Sequence, residues 1–126
     1  MKPLPPVKRE SLGQLAVALL PIEKLKLKSP RGISFEKEIH EFLVTNFNGY
    51  TVSSGNISGH WKDDHGHDHY GEHRQYKVAL PAAAEGIQSL EVFLAEIAAD
   101  MGEDCIYVEL GRDIFLIYRS TRSAAG

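Results

Sequence analysis

The chain is predicted to be an α+β protein of the ferredoxin-like class, an antiparallel sheet with two helices on one face. Three observations lead there. Two segments carry the one-sided apolar spacing of amphipathic helices, several others alternate with period two as strands do, and they follow in the order strand, helix, strand, strand, helix, strand. A chain of 126 residues is long enough for one hydrophobic core and short for two. The expected organisation is a flexible arm at 1–12, a single domain at 13–119, and a flexible tail at 120–126.

The first strand is expected within Gln14 to Leu27, where Leu15, Val17 and Leu19 alternate with Ala16, Ala18 and Leu20 and Pro21 bends or ends the element. Lys28-Ser29-Pro30-Arg31-Gly32 reads as a loop. Ser34 then caps a helix whose apolar face is Phe35, Ile39, Phe42, Leu43 and Val44, ending between Asn46 and Gly49. On its polar face His40 and Glu36 lie one turn apart and could pair or share a metal. From Tyr50 the period becomes two, through Val52, Ile57 and Trp61, with Gly55 and Gly59 suggesting bulges or close approach, so a bent second strand is predicted. A third strand spans Arg74 to Leu80. The second helix follows Pro81, with Ile87, Leu90, Phe93, Leu94, Ile97 and Met101 on one face and Gly102 as its stop. Cys105–Leu110 and Ile114–Tyr118, joined at Gly111-Arg112-Asp113, read as a closing hairpin.

Such a sandwich leaves one sheet face uncovered, and Trp61, Tyr76, Tyr107 and Tyr118 are the aromatics expected on it. An apolar sheet face of that size favours a homo-oligomer, a trimer or alternatively a dimer, with Trp61 and Tyr118 at the interface.

Composition narrows the function. A net charge of -3 and a pI near 6 provide no basic footprint, so no nucleic-acid partner is expected. Cys105 is the single cysteine, which excludes a disulfide framework and fits a reducing, cytoplasmic setting. Lys2, Lys8 and Arg9 precede the apolar run 15–20 as in a secretory signal, but the prolines and Glu10 among them and the absence of a small-residue cleavage site argue against one. No stretch is long enough to span a bilayer, so no membrane partner is expected.

The most unusual feature is a cluster of histidines. Five of six fall between His60 and His73, at 60, 65, 67, 69 and 73, interleaved with Asp63, Asp64, Asp68 and Glu72. Imidazole and carboxylate bind zinc, nickel, cobalt or copper, and imidazole changes charge near neutral pH. In an extended segment His65, His67 and His69 would point the same way and could converge on one ion, with the carboxylates adding oxygen ligands or orienting the rings. The bland alternative is a solvated, mobile loop, 60–73, between the second and third strands.

The residues Phe42-Leu43, Phe47-Asn48-Gly49-Tyr50-Thr51-Val52, Gly59-His60-Trp61-Lys62-Asp63 and Tyr76 together resemble small PII-like, ferredoxin-fold signalling proteins. They are similar also to an uncharacterised bacterial family with Gly-x-Thr-Val and Gly-x-Trp patterns. The first resemblance implies a trimer that binds a small molecule between subunits, using the loop between the second and third strands as lid and as an arm toward a protein target. No Gly-rich phosphate cradle accompanies it. The expected function is therefore a small oligomeric binding or regulatory protein that senses a small ligand or divalent metal through that loop. Trp61, Arg74 and Tyr76 are the candidate ligand-binding residues, and His60, His65, His67, His69 and His73 the candidate metal ligands. The alternative is a small enzyme on the open sheet face, with His60 and Asp63 or Asp64 as base and orienter and Arg74 or Tyr76 holding an anionic substrate. No catalytic residue is assigned, because no nucleophile and base pair stands out.

Overall fold

A computed structural model describes residues 1–81 and 83–121. Its strand at Gln14–Pro21 (β1) is apolar on both sides, and it lies in the centre of the sheet, where both sides can be covered. Pro21 ends it, and a short 3-10 turn, Ile22–Lys24, replaces the further strand expected to Leu27. Helix α1 (Phe35–Asn46) begins where Ser34 Oγ accepts the Lys37 N–H at 3.1 Å. Strand β2 (Gly49–Val52) follows, then β3 (Ile57–Lys62) and the long β4 (Asp68–Leu80). Helix α2 (Ala84–Met101) stops at Gly102, whose φ of 76° is the left-handed conformation that glycine adopts without steric cost. Strands β5 (Cys105–Leu110) and β6 (Asp113–Tyr118) form the closing hairpin.

The sheet is antiparallel throughout, in the order β2-β4-β1-β5-β6, with β3 also paired to β4. This is the ferredoxin-like order with β6 added at one edge. The predicted bent second strand is two strands in line, since β2 pairs residues 76–79 of β4 and β3 pairs residues 68–73. Between them Ser53 holds the break to β4: its N–H donates to the Gln75 carbonyl (2.9 Å) and its Oγ accepts the Gln75 N–H (3.0 Å).

Both helices pack on one face. Ala16, Ala18 and Leu20 of β1, Tyr76, Val78 and Leu80 of β4, and Ile106 and Val108 of β5 meet Ile39 and Leu43 of α1 and Leu90, Leu94 and Ile97 of α2. Each fully buried leucine or isoleucine contributes roughly 1.5–3 kcal/mol relative to exposure. Tyr76 belongs to this core at 3% exposure, which corrects its expected place on the open face. Phe42 and Phe93 are half-buried, stacked at 3.8 Å where the helices meet. His40 bonds the Tyr50 hydroxyl (2.6 Å), not Glu36, which instead pairs with Lys26 and Arg74.

Candidate functional site

The histidine segment is not an excursion from the sheet. His60, His69 and His73 lie on paired strands, with His60 opposite Tyr70, Trp61 opposite His69 and Ile57 opposite His73, and the connection is the short turn 63–67. Asp63 builds that turn. Its Oδ1 accepts the N–H groups of His65 and His67, both at 2.9 Å, while its own N–H donates to the His67 carbonyl. Gly66, with φ 79°, supplies the residue the turn needs in the left-handed region.

Strand β4 continues beyond the end of β1, since Pro21 is already opposite His73. The β3–β4 ribbon past that point curls back over the open face of the sheet. Trp61 carries it there: its ring lies 5.1 Å from Tyr107 of β5 and 5.0 Å from His73. The Asp64 N–H donates to the Tyr118 hydroxyl, which in turn donates to Asp64 Oδ1, both at 3.1 Å. Val17, Leu19 and Cys105, which point away from the helices, are consequently buried. Trp61, Tyr107 and Tyr118 are thus on the open face as expected, where the chain covers much of that face itself.

Between ribbon and sheet lies a polar cavity of about 180 Å³, lined among others by Leu19, Trp61, His69, His73, Glu103 and Cys105. His73 is 7% exposed, and neither its Nδ1 nor the Trp61 Nε1 has a hydrogen-bond partner among the described residues. A buried donor left unpaired costs on the order of 1–3 kcal/mol. Burial pushes the Cys105 thiol up; the Trp61 N–H lies near enough to counter that rise without reaching hydrogen-bond geometry. At the cavity wall His69 Nε2 meets Asp63 Oδ2 at 2.8 Å. That carboxyl is only 5% exposed, and the His69 hydrogen bond, with the N–H groups of His67 and His65, holds it down at about 2 against the opposing effect of burial.

The sequence-predicted residues divide accordingly. Trp61, His69 and His73 converge on the cavity. Arg74 and Tyr76 do not reach it, because they face the helices: Arg74 pairs with Glu36 at 2.8 Å, and burial pushes the Tyr76 hydroxyl up to about 12. His60 is on the outer face of the ribbon, beside Asp68 and Tyr70. His65 and His67 lie on the turn, His67 Nδ1 3.7 Å from the Asp63 oxygen that His69 meets; the ligand atoms that cluster within 4.8 Å of one another are those of Asp63, Asp64 and His65. Sequence reasoning missed Glu103 and the turn that Asp63 builds, while the expectation that a carboxylate orients the histidine rings is met by Asp63 at His69. An Asp followed three residues later by Gly between two alternating runs is the turn signal that could have located Asp63.

No family model and no curated protein sequence matches the chain. In structure it is similar to a phage SAM lyase in complex with S-methyl-5'-thioadenosine, with a TM-score of 0.54 and 10% identity over 94% of this chain and 100% of that one. At that identity the likeness concerns the fold. Among the described residues no helix is long and apolar enough to cross a membrane.

Proposed function

We propose that this chain is a small binding or regulatory protein that takes a polar small molecule into the cavity beneath its β3–β4 ribbon. The observation that carries this reading is a cavity lined by Trp61 and His73, whose ring nitrogens Trp61 Nε1 and His73 Nδ1 are buried without partners among the described residues. Buried polar groups are satisfied in nearly all folded proteins, and a ligand with acceptor atoms would satisfy these. The indole adds an apolar surface to the cavity wall, suited to an aromatic or thioether group. The ribbon would act as the lid, in keeping with the PII-like order of elements, and an oligomer would cover the apolar sheet surface that the ribbon leaves exposed.

A second reading, a small enzyme, is favoured by the Asp63–His69 pair. A buried carboxylate orienting an imidazole at a cavity wall is the arrangement of a general base. The phage neighbour, a lyase, is an enzyme on a similar fold.

Trp61 is the only tryptophan, so its emission reports the cavity directly. We expect S-methyl-5'-thioadenosine, or a member of a panel of small carboxylates and phosphates, to change that emission saturably and raise the melting temperature. His73→Ala should abolish both effects. No response of emission or melting temperature to any of these probes overturns the binding reading. Turnover of a bound probe that is lost in His69→Gln while binding persists selects the enzyme.

A further inference from the structure

We propose that β6 is the seam of a two-fold homodimer, in which the β6 strands of two copies pair antiparallel about Leu116 and join the two sheets into one. This is independent of the ligand reading. The two edges of the sheet differ in kind. The edge formed by β2 and β3 is interrupted at residues 53–56 and carries Ser58, His60 and Lys62, the features by which monomeric proteins discourage edge pairing. The other edge, Asp113-Ile114-Phe115-Leu116-Ile117-Tyr118, has no break, no proline and no charge between its ends. Ile114 is 63% exposed and Phe115 44%. Among the described residues nothing pairs with its outer side.

Hydrogen-bond parity, strand overlap and charge together select the register. The Arg119 N–H donates to the Asp104 carbonyl of the neighbouring chain segment at 2.9 Å, and Asp113 pairs with Leu110 across the two-residue turn. Odd-numbered residues of β6 therefore turn their backbone groups toward β5, and Ile114, Leu116 and Tyr118 turn theirs outward. Two copies can bond only where outward residues oppose outward residues, so the centre must fall on a residue and not between two. Centring on Leu116 uses the whole strand. It places Ile114 opposite the partner's Tyr118 and Phe115 opposite the partner's Ile117. It also sets Asp113 opposite the partner's Arg119, twice by symmetry, so that the only charges in the paired stretch meet their opposites. Centring on any other residue of the strand, Phe115 and Ile117 included, shortens the overlap and forfeits the charge match.

Sedimentation of the full chain tests the seam. The wild type should be a dimer at micromolar concentration. Asp113→Arg or Arg119→Asp alone should weaken association about tenfold, since each replaces two attractive pairs by two repulsive ones. Mixing the two variants should restore a dimer, as should combining both changes in one chain. Arg119 also approaches Asp104 (4.0 Å), so Ile114→Pro provides a separate probe: it removes an outward N–H and leaves the bonds to β5 in place. Dissociation with an unchanged circular dichroism spectrum supports the seam. A wild-type monomer, a trimer, or a dimer indifferent to Asp113→Arg and Ile114→Pro overturns it.

Discussion

The chemistry of the site depends on two small local facts. Gly59 is one: a β-carbon there would collide with the six-membered ring of Trp61, which lies across it on the same face of β3. Gly59→Ala should therefore lift the indole off Tyr107 and His73 and shift its emission to longer wavelength; an unchanged emission maximum would show that the ring is held elsewhere. The other is Asp63. Its folded-state value of about 2 lies below the ordinary 3.8, so its contribution to holding the turn is complete above the ordinary value and is lost as pH falls toward 2. Carboxyl NMR should place its titration midpoint near 2, and His69→Phe, which removes the largest cause, should raise it. A midpoint that stays low in the variant would assign the effect to the turn amides alone. At this scale the sequence was legible in composition but not in geometry. The histidines at 65, 67 and 69 have the spacing of one strand face, yet Asp63 captures the amides of His65 and His67 and folds two of the three into a turn. Alternation implies a shared face only where the backbone stays extended.

The helices were the most legible elements, because Ser34 and Gly102 punctuate them and their apolar spacing is continuous. Degree of burial was less so. Phe42 and Phe93 have the spacing of core residues, which would imply a loss of about 3–5 kcal/mol on truncation, but they stack at the rim between α1 and α2. Phe42→Ala should cost roughly 1–3 kcal/mol in chemical denaturation, less than Leu43→Ala, with a coupling of about 0.5–1.5 kcal/mol between Phe42 and Phe93 in a double-mutant cycle. A loss from Phe42→Ala that equals or exceeds that from Leu43→Ala would move the phenyl ring into the core. Strand faces were harder to read. Tyr76 and Trp61 both sit in alternating runs, and only the pairing of Tyr76 with Ala18 and of Trp61 with His69 reveals that they lie on opposite sides of the sheet.

For the whole molecule, the order of elements was enough to predict the ferredoxin-like arrangement, because connections between successive elements are short and few topologies satisfy them. Element order does not reveal how far β4 outruns β1, and that overhang is what turns a predicted loop into a ribbon lying over the sheet. The central place of β1 has a consequence for synthesis. It leaves the ribosome before either partner, apolar on both sides, since its neighbour on one side is not finished until Leu80 and on the other not until Leu110. Until β4 is made this strand has no neighbour of its own to pair with, and in that interval its apolar sides are open to misassociation and to a chaperone's shelter.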